Sequence, residues 1–321
     1  MITTFYSFKG GVGRTFLALE AAAQLAARGL SVAFWDLDLE APGLQLHPAL
    51  AAVQKDLKRG TFDLLEGWKD GKEIGADDLR RCLLPVTVPD ALPGGKLAFL
   101  FPSVLHDDTE YAARLSTLDF EAMFAPEGEG PAFFDRVAGL LDRDLGYQHV
   151  IIDSRTGYTD LGAVCTIGLP DAVVLVAGVS EQNLHGLTRV AAAVQSYEKH
   201  DKARAIDLRV VLNKVPDSDQ LTARQLKALR ARLSGLALKV HHQVGLYPGR
   251  FGDDAVPSLL ADGAREPDVT RQRAQITEIV DDLDGLRRSR EQRVESAEGP
   301  RGSRRARGRP PAKRGWRSNS R

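Results

Sequence analysis

The densest chemistry in the sequence lies in Lys9-Gly10-Gly11-Val12-Gly13-Arg14-Thr15. An apolar run at residues 2–8 precedes it and an Ala- and Leu-rich stretch at 15–28 follows. A glycine-rich turn between a strand and a helix is the setting of a phosphate cradle. Glycines allow the tight turn and bring backbone N–H groups against phosphate oxygens. The helix start adds the positive end of its dipole. Thr15 is placed to offer its hydroxyl to Mg²⁺. The loop departs twice from the pattern G-x-x-x-x-G-K-[ST], with Phe8 at the first glycine and Arg14 at the lysine. Arginine keeps its positive charge, but its planar fork is bulkier than an ammonium. Retained nucleotide binding with slow hydrolysis is the expectation.

Carboxylates end two further apolar runs. One is Asp36-Leu37-Asp38-Leu39-Glu40-Ala41-Pro42-Gly43, after the run 31–36. The other is Asp153, which ends the run 149–153 and leads into Ser154-Arg155-Thr156-Gly157. Carboxylates at strand ends beside a phosphate loop suit metal and water handling. Asp160, just beyond, reads as a helix cap.

These pieces, in this order, resemble the ParA/MinD family of deviant P-loop ATPases, whose signature is K-G-G-x-G-K-[ST]. The loop looks closest to a subgroup that reads K-G-G-V-G-R-T, and the resemblance spans most of residues 1–285. It implies an ATP-dependent homodimer in which Lys9 reaches the partner's nucleotide as a trans cation. It implies that Asp36 and Asp153, with Thr15, attend Mg²⁺, and that Asp38 positions or activates the attacking water. It implies that Gly10, Gly11, Val12, Gly13, Arg14 and Thr15 hold the phosphates. Asn213, ending the run 209–213, would read the adenine edge, and Leu246-Tyr247-Pro248 would offer backbone contacts to the base. The guanine pattern N-K-x-D would need Asp at 216, where Pro216 stands. On its own, an Asn at a strand end is more often a turn residue.

Such a site needs strands that end together. Apolar runs at 2–8, 31–36, 97–101, 149–153, 172–177, 209–213 and 238–241 read as about seven strands, mostly buried on both faces. Between them, 15–28, 133–145, 182–199 and 222–233 carry helical spacing. This alternation predicts an α/β fold with a doubly wound, mostly parallel sheet, and the resemblance implies that it is P-loop NTPase-like and SIMIBI-like. A last helix is expected over 271–286, with Ile276, Ile279, Val280, Leu283 and Leu286 on one stripe. Its acids Glu278, Asp281, Asp282 and Asp284 argue for core packing over a membrane surface. The domain reading is therefore 1–286 as an ATPase domain and 287–321 as a disordered Arg-rich tail.

Composition excludes other classes. The chain has 321 residues, 43% hydrophobic and 27% charged, enough for a sizeable core. No apolar run approaches the ~18–20 residues of a bilayer span, and the start does not read as a signal peptide. Cys82 and Cys165 cannot supply the thiolate sets of iron-protein-like or arsenite-pump-like relatives, and the tail lacks a tyrosine cluster. His241-His242 reads as structural, since neighbours on a strand face opposite ways. A cytoplasmic place follows, nucleoid-associated if the tail meets DNA.

The net charge of zero hides a split: residues 287–321 carry thirteen Lys or Arg against three acids, +10, and the rest carries −10. One reading is a solvated tail. The other is DNA binding through 301–321, non-specific or at A·T-rich sites, since Arg307-Gly308-Arg309-Pro310 resembles an AT-hook. The functional expectation is an ATP-binding dimerisation switch with slow Mg-dependent hydrolysis and an unidentified protein partner. The alternative is a nucleotide-gated regulatory or scaffold subunit of a bacterial conflict or differentiation system, with little or no hydrolysis.

Overall fold

A computed structural model describes the chain except residues 41, 43, 45–49, 51, 52, 54, 105–107, 201–204, 217–219, 237, 248–266 and 299–321. The sheet strands are β1 (Ile2–Tyr6), β2 (Ser31–Leu37), β3 (Leu83–Val86), β4 (Lys96–Leu100), β5 (His149–Ser154), β6 (Ala172–Ala177), β7 (Asp207–Val215) and β8 (Val240–Gly245). Their order is β3-β4-β2-β5-β1-β6-β7-β8. Every pairing is parallel except β3 with β4. The seven expected strands are present, and β3 is an addition at one edge. Its four residues carry Pro85, which a short edge strand tolerates and which hides the strand from a search for apolar runs.

The helices are α1 (Arg14–Ala27), α2 (Thr61–Lys69), α3 (Ala76–Arg80), α4 (Asp108–Ser116), α5 (Phe120–Phe124), α6 (Gly130–Gly139), α7 (Asp160–Ala163), α8 (Glu181–His200), α9 (Gln220–Gly235) and α10 (Pro267–Glu298). Wider π turns, Leu140–Asp144 and Val164–Gly168, continue α6 and α7. Strand periodicity divides the core. Phe34, Phe99, Ile151, Val174 and Val211 face a layer that includes Leu17 and Leu25 of α1 and Ile276, Ile279, Val280 and Leu283 of α10. Their neighbours Trp35, Leu100, Val150 and Ile152 face the layer built with Phe62, Phe133, Phe134 and Val137. Farther along the sheet, Val173, Leu175, Val210 and Leu212 pack with α8 and α9. Cys82 and Cys165 are buried free thiols in the second of these layers.

The last helix takes the core-facing role expected of it but does not stop at Leu286. It runs to Glu298, and Arg290 reaches back to Asp171 at 2.7 Å. Arg287 is buried between Asp284 (2.8 Å) and Glu291 (2.7 Å), so the first arginines after residue 286 belong to the folded body. The acids of this helix also hold it down. Asp281 meets Arg28 at 2.6 Å, and Asp282 meets Arg209 at 2.6 Å and His242 at 3.2 Å. His241 points elsewhere and accepts a hydrogen bond from the Val210 N–H through Nδ1 at 3.1 Å.

Burial, then the nearby Arg209 and Lys239 cations, push His241 down from 6.5 to about 4. Between pH 6.5 and about 4 the unfolded chain takes up this proton and the folded chain does not, so stability falls as pH falls through that window. Replacing His241 with Asn keeps an acceptor near the Nδ1 position and removes the titration. The Tm of His241→Asn should therefore fall less than that of the wild type between pH 6.5 and 4. Equal slopes would show that this imidazole is not responsible.

Candidate functional site

The phosphate loop sits where the chain leaves β1, the strand between β5 and β6. From there the connections wind toward β3 on one side and toward β8 on the other. In open α/β sheets this switch point leaves a crevice beyond the carboxyl ends of the strands. Gly11 (φ 75°) and Gly13 (φ 78°) take left-handed backbone that glycine adopts without penalty. Gly10 and Gly11 are exposed, and a Cβ placed on either would meet nothing within 4 Å. Gly13 is the cap residue of α1 and has no side chain to satisfy the first N–H groups. The helix then opens Arg14-Thr15-Phe16 with no carboxylate. These donors stand ready for an anion.

Three side chains fix the loop from outside. Asn213, wholly buried at the end of β7, donates Nδ2 to the Val12 carbonyl at 2.8 Å. Lys214 donates Nζ to the Gly11 carbonyl at 2.9 Å. Phe8 packs against α8 at Gly186, where a Cβ would fall inside its ring. Asn213 was expected to read a base; in this arrangement its amide N–H₂ supports the loop, and its Oδ1 has no partner among the described residues. The sequence showed an Asn at a strand end but could not show that the loop folds back over it. Pro248 lies outside the described residues. Lys9 is exposed, with Nζ 5.6 Å from the Phe8 ring centre.

The parallel register brings the acids together. Asp36 of β2 and Asp153 of β5 are paired neighbours, so both carboxylates leave the sheet at one level. Asp36 Oδ1 accepts from the Asp38 N–H at 3.0 Å, while Oδ2 is buried without a partner among the described residues. Burial, then the Asp153 charge, push the Asp36 carboxyl well above the usual carboxylate range. Burial also raises Asp38, with Arg14 pulling against it.

Arg14 is the centre of the cluster. Its Nε meets Asp153 Oδ1 at 2.5 Å, and its Nη2 meets Asp38 Oδ2 at 3.2 Å and Thr15 Oγ1 at 3.5 Å. The side chain is almost wholly buried. Burial opposes its charge, but Asp153 and Asp38 more than offset this and raise its pKa further. Spacing along the chain placed Arg14 in the loop; it gave no sign that the guanidinium turns toward the acids.

Neighbouring segments are tied in. Tyr6 donates its hydroxyl to Gly157 O at 2.9 Å, and Tyr111 donates to Leu39 O at 2.6 Å. Arg155 pairs with Glu40, which joins the stretches after β2 and β5. Thr159, not Asp160, caps α7, accepting from the Gly162 N–H at 3.0 Å; Asp160 follows in the first turn.

A glycine loop leading into a helix, with acids at the ends of two adjacent parallel strands, defines a P-loop nucleotide-binding protein of the doubly wound class. Residues 3–245 match the family described as the CobQ/CobB/MinD/ParA nucleotide binding domain, and the chain belongs to that family. No curated protein matches it. Among solved structures it is similar to the MinD cell division protein of Aquifex aeolicus, at 16% identity and a TM-score of 0.57 over 88% of this chain and 97% of that one. It is similar to the septum site-determining protein MinD complexed with Mg-ADP from Pyrococcus horikoshii, at 18% identity and a TM-score of 0.58 over 89% and 98%. A ParA family ATPase from Chlorobium tepidum aligns at 14% identity and a TM-score of 0.56 over 87% and 98%. At these identities the likeness establishes the shared fold.

The contact of Phe8 with Gly186 sets a steric test. Alanine in a helix interior normally gains about 1 kcal/mol over glycine. At Gly186 the added methyl must displace Phe8, and overpacking of this kind costs about 1–3 kcal/mol. Gly186→Ala should therefore lower the urea midpoint, whereas Gly285→Ala in α10, whose Cβ meets nothing within 4 Å, should raise it. A stabilised Gly186→Ala protein would show that Phe8 is not seated there.

Proposed function

We propose that the chain is an ATP-binding dimerisation switch with slow hydrolysis. The observation that carries this is the glycine turn at the uncapped start of α1, tied through Arg14 to Asp38 and Asp153, with Asp36 beside Asp153 across β2 and β5. Gly10, Gly11, Val12 and Gly13 supply backbone N–H groups for phosphate, and Arg14 and Thr15 stand at the helix start beneath it. Lys9, exposed before the turn, is the cation that this reading assigns to a nucleotide held by a second copy. Pro216 in place of the aspartate of the guanine pattern favours adenine.

The two expected ligands fit differently. Triphosphate fits the loop, because the start of α1 has no side-chain cap and no acid in its first turn, so its N–H groups lack a protein anion. Mg²⁺ was expected on Thr15, Asp36 and Asp153. Asp36 Oδ2 has no partner among the described residues, but Asp153 Oδ1 and Thr15 Oγ1 each accept from the Arg14 guanidinium, a cation where Mg²⁺ would stand. That donor set, as it stands, does not fit the ion, and no step is derived through it.

The same contact favours a second reading, a nucleotide-gated regulatory or scaffold subunit with little or no turnover. Asp38 is the group the resemblance assigns to the attacking water, and it is paired with Arg14. The tail is proposed to bind DNA. With α10 running to Glu298, the remaining stretch 299–321 carries nine Lys or Arg and no acid. No helix among the described residues is long and apolar enough to cross a membrane. The proposed place of action is the cytoplasm, on the nucleoid if the tail engages DNA, with a protein partner that reads the nucleotide state.

Two measurements bear on this. Sizing with and without ATP should show a dimer only with ATP in the wild type. Lys9→Ala should keep ATP binding by calorimetry and lose the dimer; turnover should stay below the ~1–100 s⁻¹ of kinases. A Lys9→Ala protein that still dimerises with ATP would remove the trans role. Separately, a gel shift should compare the full chain with one ending at Glu298. If six or more phosphates are engaged, affinity of the full chain falls about 10³–10⁵-fold between 50 and 200 mM salt. Equal binding by both chains would discard the tail as the DNA contact.

A further inference from the structure

Arg14 does more than replace a lysine. A P-loop cation serves the phosphates, yet this one lies against Asp153, Asp38 and Thr15 at 2.5, 3.2 and 3.5 Å. Those groups, with Asp36, are the ones the resemblance assigns to a divalent cation and the attacking water. A guanidinium donates in a plane and in several directions at once, so one side chain can bridge two carboxylates and a hydroxyl. It cannot shed its proton to leave, as a buried lysine can. Removing it would strand buried carboxylates, a strongly unfavourable change. Its third nitrogen, Nη1, is buried and has no acceptor among the described residues. Buried donors without acceptors are rare and call for an explanation. A phosphate oxygen that reached this nitrogen would supply the missing acceptor.

We propose that Arg14 is the resident cation of this site: it organises Asp153, Asp38 and Thr15 in place of a divalent ion, offers Nη1 to a phosphate oxygen, and lets the chain bind a nucleoside triphosphate without a metal. This rests on the nucleotide-binding reading above. It adds the form of ligand the pocket takes, a metal-free triphosphate. It would also keep turnover low, since Asp38 stays paired and the transferring phosphoryl group lacks a divalent counter-charge.

The test is calorimetry with a non-hydrolysable ATP analogue on the full chain, once with excess EDTA and once with Mg²⁺. Wild type should bind in both, with Kd values within about three-fold of each other. Arg14→Lys, whose single ammonium cannot bridge the same groups, should bind at least about tenfold more weakly in EDTA than with Mg²⁺. Wild-type binding that appears only with Mg²⁺ would overturn the proposal and leave the nucleotide-binding reading intact. An Arg14→Lys protein as indifferent to metal as the wild type would overturn the assignment to Arg14. Should the variant fail to fold, the wild-type comparison alone decides whether a metal is needed. No heat under either condition would overturn the nucleotide-binding reading and this proposal together.

Discussion

A guanidinium buried between two carboxylates joins three parts of the chain that are far apart in sequence. Arg14 starts α1, Asp38 follows β2 and Asp153 lies in β5, separated by 24 and 139 positions from the arginine. The pair with Asp153 is wholly within the protein, where water screens little. Breaking such a pair by removing one partner typically costs about 3–5 kcal/mol, because the remaining charge is left without compensation. The arrangement therefore fixes the start of α1 relative to the sheet and sets which groups a ligand can still engage. Among the described residues, one guanidinium nitrogen, one oxygen of Asp36 and the Asn213 side-chain oxygen are buried without a partner.

The frame around this contact explains why it can persist. Parallel pairing of β2 with β5 puts Asp36 beside Asp153, and the middle position of β1 sends the glycine loop out over both. Asn213 and Lys214 hold the loop from β7 on the other side. On the opposite end of α1, α10 packs along the helix, with Thr277 donating to Gln24 at 2.8 Å and Arg28 pairing with Asp281. The last helix thus bears on the site indirectly, by seating the helix whose first turn carries Arg14. Its extension to Glu298 also moves the beginning of the basic tail to a point twelve residues beyond Leu286.

Much of this was legible in the residues. Apolar runs located seven strands because strands covered on both faces must be apolar along their length. Glycine at 11 and 13 declared the turn, since few other residues accept the left-handed backbone it takes there. The aspartates ending two runs announced the acidic side of the site. The edge strand β3 was missed because an edge needs neither length nor unbroken hydrophobicity. The end of α10 was missed because its last turns are charged, and their support comes from ion pairs to the helix itself and to Asp171.

What the sequence determined by itself is the inventory: a phosphate loop, the carboxylates, an arginine where a lysine is customary, and the alternation that makes a doubly wound sheet. These are local, set by residue type and by the periods of strand and helix. What the tertiary structure alone decided is which partners the charged groups choose. Arg14 could have faced the loop or the acids, and Asn213 an open crevice or the back of the loop. Distances across 139 and 201 positions settled both. Ion pairs and hydrogen bonds depend on separation in space and on exclusion of water, and neither is fixed until the sheet has formed.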